Sequence, residues 1–282
     1  MKKIAFYLGD STGLKILKAF INKKIAITYV VSTDEKYKKH INQICKNNHI
    51  KKFFFNKINN HLPKVCNKDV DIIISIFSRY IFPKKFIDNF KGYIFNIHPG
   101  LLPFYPGTNS ISGTIFNQEK FSGVTIHLVT EKIDGGDIVL KKKFKLKKND
   151  LAINVWQKIQ KISIGLAKNL YQKILNDELV FKKNKINTDR KIFPKFIPNN
   201  GFIRPNIDDL KNIMILYRAS YYFPYTSPWG CLKFLYKKKV QKVVTIQKYK
   251  EVNYNLKNVK KINNKTYLIK LKNNIITKVT TN

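Results

Sequence analysis

The chain has 282 residues, of which 44% are hydrophobic and 13% aromatic, and its 54 Lys and Arg against 17 Asp and Glu give a formal net charge of +37. This length and apolar content place it among globular proteins and allow two domains with a sizeable core. The longest apolar run, 70–82, contains an aspartate, a serine and an arginine, so it does not predict a membrane span.

The positive charge predicts attraction to polyanions such as nucleic acid. The excess is almost all lysine, however, and it is spread along the whole chain together with many asparagines and isoleucines. This pattern is typical of a drift toward A/T-rich codons. We therefore expect the positive charge to cause only weak, nonspecific binding to polyanions. The N-terminus lacks the cleavage site and apolar block of a signal peptide, and the three scattered cysteines suit a reducing compartment, so we expect a cytoplasmic protein.

The first third of the chain predicts strands that alternate with helices. The predicted strands are 3–8, 25–32, 52–56 and 70–77, and the predicted helices are 14–22 and 35–47. Such alternation favours a Rossmann-like, doubly wound, mostly parallel sheet. The glycine-bearing turn 9–13 can cradle a phosphate, but its fingerprint is incomplete, and Ser11 or Thr12 as a helix cap is the better interpretation.

The next strand begins at Tyr93 and ends with two polar residues. Asn96 and His98 are two positions apart on this strand, so an amide and an imidazole point to the same side of it. Pro99 and Gly100 then end the strand and turn the chain. The two polar side chains therefore lie at a strand end, where α/β sheets bind ligands.

A carboxylate follows these residues in the predicted loop before the strand 137–146. Asp134 precedes two glycines, which allow the loop to bring its carboxylate back toward Asn96 and His98. A base or proton relay together with hydrogen-bond donors for an oxyanion is suited to acyl transfer. Each residue alone is more often a satisfied turn residue. His127, within the predicted strand 123–128, is expected to have a structural or pocket-lining role.

The C-terminal part predicts a second, mainly β domain. A cap at Asn149 or Asp150 begins a long helix to about residue 176, and its apolar positions, including Trp156, are expected to lie against the sheet. A helix over 207–222 follows, and then strands at 231–236, 240–247, 267–272 and 275–279. We predict a catalytic domain at 1–180, a connector at 181–201 and a C-terminal domain at 202–282. Trp229 is expected to pack in the core of that last domain.

Three linked motifs resemble the 10-formyltetrahydrofolate-dependent formyltransferase family. These are the Asn-Ile-His-Pro-Gly-Leu-Leu-Pro string at 96–103, Gly-Val-Thr-Ile-His at 123–127 and Ile-Asp-Gly-Gly-Asp at 133–137. The resemblance implies that Asn96, His98 and Asp134 form a catalytic triad and that 10-formyltetrahydrofolate is the formyl donor. It also implies that the C-terminal part is a small barrel-like domain. No metal is implied. A buried carboxylate beside His98 is expected to raise the pKa of that histidine.

The resemblance further implies which residues contact the folate. They lie in three places: at the end of the strand 70–77, after the strand that ends at His98, and after Asp134. They are Phe77, Ser78, Arg79, Tyr80, Ile81, Phe82, Leu102, Gly135 and Asp137. The alternative for 77–82 is a strand-to-helix loop capped by packed aromatic side chains.

Two substrates are candidates to supply the acceptor amine. The methionyl-tRNA members of the family typically have Arg-Gly-Ala-Ala-Pro where this chain has Pro-Gly-Thr-Asn-Ser at 106–110, and a longer basic loop where it has only Thr33, Asp34 and Glu35. The sequence Phe-Ser-Arg-Tyr-Ile at 77–81 is similar to that of the family members that act on sugar nucleotides. A nucleotide-linked amino sugar is therefore the leading acceptor, and methionyl-tRNA is the alternative. A non-catalytic, basic nucleic-acid-binding protein is a third interpretation.

Overall fold

The computed structural model describes residues 2–23, 25–32, 34–54, 70–78, 80–185, 193–249 and 256–281. These residues form two compact units. The first unit comprises Met1–Thr108, Ser122–Phe144 and Gln157–Arg190, and the second comprises Asn109–Phe121, Lys145–Trp156 and Lys191–Asn282. The division into domains at 1–180, 181–201 and 202–282 stays a prediction.

The first unit is built around a seven-stranded sheet, counted over the described ranges. The strand order is β3-β2-β1-β4-β5-β6-β7, and the strands are Ile4–Leu8 (β1), Ile27–Ser32 (β2), Lys51–Phe54 (β3), Ile72–Ile76 (β4), Tyr93–His98 (β5), Phe121–Leu128 (β6) and Ile138–Lys145 (β7). The first five strands pair in parallel, whereas β6 runs antiparallel to β5. The predicted doubly wound, mostly parallel sheet is confirmed.

Six α-helices occur in the described part of the chain. They are Ser11–Ile21 (α1), Lys38–Asn47 (α2), Lys84–Asn89 (α3), Ser110–Phe116 (α4), Ala152–Leu175 (α5) and Leu210–Ser220 (α6). The expected cap of α1 is wrong: the side chain of Asp10 accepts a hydrogen bond from the Thr12 backbone N–H, and α1 starts at Ser11. A carboxylate at this position satisfies an otherwise unpaired N–H and opposes the positive helix end.

The centre of the sheet is apolar on both faces. Every residue of β1 and of β4 is buried, as expected for parallel strands covered on both sides. On one side, Tyr7 packs against Tyr80 and Phe82 with ring centroids 5.4 and 4.9 Å apart. This packing leaves the carboxyl ends of the strands as the place for polar chemistry.

The second unit contains a five-stranded antiparallel sheet within its described residues. Its order is β10-β11-β12-β9-β8, formed by Lys233–Tyr236 (β8), Lys239–Lys248 (β9), Val259–Lys261 (β10), Thr266–Lys270 (β11) and Ile276–Thr281 (β12). The expected small β domain is confirmed as a fold element, although β10 was not predicted. Trp229 is 3% exposed and donates to the Pro194 carbonyl, so its core position is confirmed.

Some of the sequence-based predictions include residues outside the described ranges. The third strand ends at Phe54, and the predicted continuation to Asn56 is not described. Thr33 is likewise not described, whereas Asp34 accepts from the Lys36 backbone N–H and begins the short 3-10 turn Glu35–Tyr37. Among the described helices, none combines the length and the apolar character needed to cross a membrane.

Candidate active site

The pairing of β5 with β6 builds the base of the site. In this antiparallel register Asn96 is opposite His127, and His98 is opposite Thr125. Residues that face each other across two strands have neighbouring side chains on the same side of the sheet. The amide and the two imidazoles therefore lie together at the carboxyl end of β5.

The carboxylate of Asp134 bridges the two histidines. Its Oδ2 is 3.2 Å from His98 Nδ1, and its Oδ1 is 3.2 Å from His127 Nε2. Asn96 Nδ2 donates to Oδ1 at 3.2 Å, and the backbone N–H of Gly107 donates to Oδ2 at 2.6 Å. The structure thus brings together Asn96, His98 and Asp134, the three residues that the sequence selected.

Asp134 has a left-handed backbone, with φ of 49°. For a residue with a side chain, this conformation costs roughly 1–3 kcal/mol unless the surroundings hold it. The strain lies in the loop between β6 and β7, at the residue that carries the carboxylate. The loop is therefore held in a geometry that an isolated turn would not favour.

Both ring nitrogens of His98 face protein oxygens. Nε2 lies 2.7 Å from the Tyr105 carbonyl oxygen, and Nδ1 lies beside Asp134. In His127, Nδ1 lies 2.7 Å from the Leu128 carbonyl oxygen and so bears the proton that this contact needs. His98 must give up one of its contacts before it can donate to a bound ligand.

Burial and the neighbouring charges have opposite effects on the pKa values of His98 and Asp134. Burial lowers the pKa of His98, and the nearby Asp134 carboxylate only partly offsets this effect. The expectation that the carboxylate would raise the pKa of His98 is therefore wrong in its net direction. Burial also acts to raise the pKa of Asp134, but His98, His127 and the Gly107 N–H together lower it. The site thus favours an ionised carboxylate.

The sequence-based prediction gave His127 a structural or pocket-lining role and did not identify its contacts with Asp134 and Asn96. The side chain is 2% exposed and its Nε2 lies 3.2 Å from both Asp134 Oδ1 and Asn96 Nδ2. Its alternation with Val124 and Ile126 indicated the polar face of the strand. Only the register with β5 identifies that face as the one that carries Asn96.

The loop after β4 holds the first group of predicted folate contacts. Phe77 is partly buried and has a φ of 49°, and the Ser78 hydroxyl accepts from the Tyr80 backbone N–H at 3.2 Å. Ile81 is 56% exposed, whereas Arg79 lies outside the described residues.

Two predicted folate contacts have side chains in the core. Tyr80 and Phe82 are each 6% exposed and pack in the aromatic cluster with Tyr7. This packing matches the alternative interpretation of a loop capped by aromatic side chains. A ligand beside this loop would meet the backbone and Ile81 rather than these two rings.

The remaining predicted folate contacts flank the triad. Leu102 is fully buried; its N–H donates to Thr125 Oγ1 at 3.1 Å, and its carbonyl accepts from Lys141 Nζ at 2.9 Å. Gly135 and Asp137 are partly exposed in the loop that carries Asp134. In the described part of the chain no group of three or more His, Cys, Asp or Glu side chains is arranged to hold a metal ion.

Curated proteins similar to this chain include enzymes with different acceptors. The chain is 33% identical over 177 residues to the bifunctional polymyxin resistance protein ArnA of Wigglesworthia glossinidia brevipalpis, which covers 60% of this chain and 25% of that protein. It is 32% identical over 116 residues to methionyl-tRNA formyltransferase of Borrelia garinii, with 41% and 37% covered. It is 36% identical over 93 residues to GDP-perosamine N-formyltransferase of Brucella melitensis, with 33% and 36% covered. The matches thus span only about a quarter to just over a third of these relatives' lengths.

Solved structures share the fold over the whole chain. The sugar 3N-formyltransferase WlaRD, solved in the presence of dTDP and 5-N-formyl-THF, aligns with a TM-score of 0.71 at 21% identity and covers 100% of this chain and 98% of its own. The N-formyltransferase of Helicobacter canadensis, in complex with folinic acid and dTDP-3-aminofucose, aligns with a TM-score of 0.69 at 20% identity and covers 100% of both chains.

The formyl transferase family matches residues 4–167, which include every residue of the bridged carboxylate site. This chain therefore belongs to the formyl transferase family.

Proposed function

We propose that this protein transfers the formyl group of 10-formyltetrahydrofolate to a primary amine. The observation that carries the proposal is the Asp134 carboxylate, held between His98 Nδ1 and His127 Nε2 with the Asn96 amide on the same oxygen as His127. An amide donor, an imidazole and an ionised carboxylate at one strand end are the groups that acyl transfer to an amine requires.

The residues have distinct proposed roles. Asn96 is only partly buried and has two amide hydrogens, so it can donate one of them to the formyl oxygen as negative charge develops there. Asp134 is ionised and accepts the proton that the acceptor amine loses, either directly or through His98. The acceptor amine adds to the formyl carbon, which places negative charge on the formyl oxygen. The bond from that carbon to the folate nitrogen then breaks, and this nitrogen takes up a proton and leaves as tetrahydrofolate.

The proposed folate site borders this cluster. Exposed Ile81 supplies apolar surface, while the loops at 77–82 and 134–137 offer backbone groups for a pterin ring. The other predicted contacts are Leu102, which follows the strand of Asn96 and His98, and Gly135 and Asp137, which follow Asp134 in its loop. The proposal needs no metal ion. The cytoplasm is the proposed compartment.

A nucleotide-linked amino sugar is the proposed acceptor. Two structural neighbours that align with the whole chain are a sugar formyltransferase and an enzyme in complex with a dTDP-linked amino sugar, and one curated relative is named for GDP-perosamine. The short loop at Thr33 to Glu35 and the changed sequence at 106–110 support the same acceptor.

Methionyl-tRNA is the second candidate acceptor. The similarity to the Borrelia garinii enzyme and the net charge of +37 favour it. It requires that the lysines contact the tRNA and that the loop departures have no consequence for binding.

The test is tetrahydrofolate release from 10-formyltetrahydrofolate with nucleotide-linked 3-amino and 4-amino sugars beside initiator methionyl-tRNA. We expect turnover with a sugar nucleotide and none with tRNA, and loss of turnover in His98→Ala. Turnover with tRNA alone would establish the second candidate. Failure to bind any folate would leave the non-catalytic nucleic-acid-binding interpretation.

A further inference from the structure

Asn184 contacts the loop that carries the site carboxylate. It lies in the segment after α5, where Ile138 and Lys182 form an antiparallel bridge with N–H to O distances of 2.8 and 2.9 Å. This bridge places Asn184, which is 6% exposed, beside residues 134–137. In the sequence, this segment belongs to the predicted connector 181–201, and no motif there indicates a role for Asn184.

Two hydrogen bonds join Asn184 to this loop. Its Nδ2 donates to the Asp134 carbonyl oxygen at 2.9 Å, and its backbone N–H lies 3.4 Å from Asp137 Oδ1. Asp134 is the residue with the left-handed backbone. A donor fixed on its carbonyl therefore limits rotation of the peptide that aims the Asp134 carboxylate.

The orientation of the Asn184 amide is determined by these contacts. Only the NH2 group can face a carbonyl oxygen, because an amide oxygen there would place two acceptors together. As a result, Asn184 Oδ1 is buried and has no hydrogen-bond partner among the described residues.

We propose that Asn184 is a positioning residue that holds Asp134 in its left-handed conformation and so keeps the carboxylate between His98 and His127. The proposal rests on the proposed formyl transfer for its effect on turnover. The geometry it concerns, however, can be measured without turnover.

Asn184→Asp is the first test, because aspartate keeps the shape of the side chain and the backbone N–H but cannot donate to the Asp134 carbonyl. We expect kcat to fall by about 10- to 100-fold, since a small misplacement of a catalytic group has an effect of this size. KM for both substrates should change less than kcat, since the Asp134 carboxylate acts in the chemical step. The matched control is Asn176→Asp, which introduces the same charge at an exposed asparagine whose amide contacts only Glu178 in the described contacts.

Asn184→Ala, which adds no charge, is the second test and uses NMR titration of the imidazoles. Because Asp134 acts to raise the pKa of His98, a displaced carboxylate should lower that pKa further. This shift does not depend on formyl transfer, so it decides the proposal even if the parent protein has no turnover. Unchanged kcat in Asn184→Asp together with an unchanged His98 titration in Asn184→Ala would overturn it. An equal loss of kcat in Asn176→Asp would also overturn it, and so would a lower Tm with normal kcat in the folded Asn184 variants.

Discussion

At the scale of single residues, the site depends on one carboxylate with four hydrogen-bonding neighbours. Asp134 is bordered by His98, His127, the Asn96 amide and the Gly107 N–H. These groups outweigh the effect of burial and keep the carboxylate ionised. The Asp134 carboxylate in turn opposes the effect of burial on His98.

Asp134→Asn should lower the pKa of His98 further, because the charge that raises it is removed while burial remains. Turnover should fall by about 10²-fold or more, as for the loss of an electrostatic group at a reacting centre. NMR titration of the imidazoles and steady-state kinetics measure the two effects. Asp88→Asn is the matched control, because Asp88 is an exposed partner of Lys84 on α3. A rise in the pKa of His98 would contradict this account.

The same two groups predict how stability depends on pH. The pKa values of His98 and Asp134 are lowered in the folded protein, so the unfolded chain binds more protons as the pH falls. The His98 contribution is complete above its unfolded pKa of about 6.5 and is lost as the pH falls toward the folded value; that of Asp134 is lost below about pH 4.

We therefore expect the free energy of unfolding, measured by urea denaturation, to decrease from pH 7 to pH 5. The decrease should be smaller in His98→Gln, which has no titrating imidazole at this position. A parent protein that gains stability over this interval would rule out a lowered pKa for His98.

At the scale of elements, the loop between β6 and β7 is fitted closely to the end of β6. A Cβ added at Gly136 would lie 2.0 Å from the Leu128 carbonyl oxygen, which belongs to the backbone and cannot move aside. A Cβ added at Gly165, in α5, would instead meet nothing within 4 Å outside the backbone of its own helix. The two glycines therefore differ in whether an added methyl group would displace a neighbour.

Gly136→Ala should displace the loop and with it Asp134, and turnover should fall by about 10- to 100-fold. Gly165→Ala is the control and should change turnover much less, because the added methyl group has room. Comparing kcat and Tm of the two variants tests this difference. Equal effects would show that the contact with the Leu128 carbonyl does not position the loop.

At the scale of the whole molecule, the charge of +37 acts on any polyanion. If the acceptor is a sugar nucleotide, we expect that the excess lysines do not form a specific binding site for a nucleic acid. Binding to RNA should then be independent of sequence and governed by counterion release.

We expect the logarithm of the affinity for a non-acceptor RNA to fall linearly and steeply with the logarithm of the salt concentration. KM for a sugar nucleotide, which has only two phosphates, should change far less. Filter binding and steady-state kinetics over the same salt series measure both quantities. Retention on heparin that persists at high salt would contradict nonspecific binding.

The sequence by itself determined the order of the main strands and helices, the two-part architecture and the convergence of Asn96 with His98. These features follow from local rules: apolar periodicity defines the elements, and two residues two apart on a strand share a face. The position of Asp134 beside them also followed from its linked motif.

Only the tertiary structure decided which other groups meet this carboxylate and how their protons are held. His127 joins Asn96 across 31 positions through the register of two strands, and Asn184 joins Asp134 across 50 positions through a bridge from the segment after α5. The direction of the His98 pKa shift depends on burial, to which every packed neighbour contributes. Strand register and the extent of burial arise from contacts between distant residues, and local periodicity does not determine either.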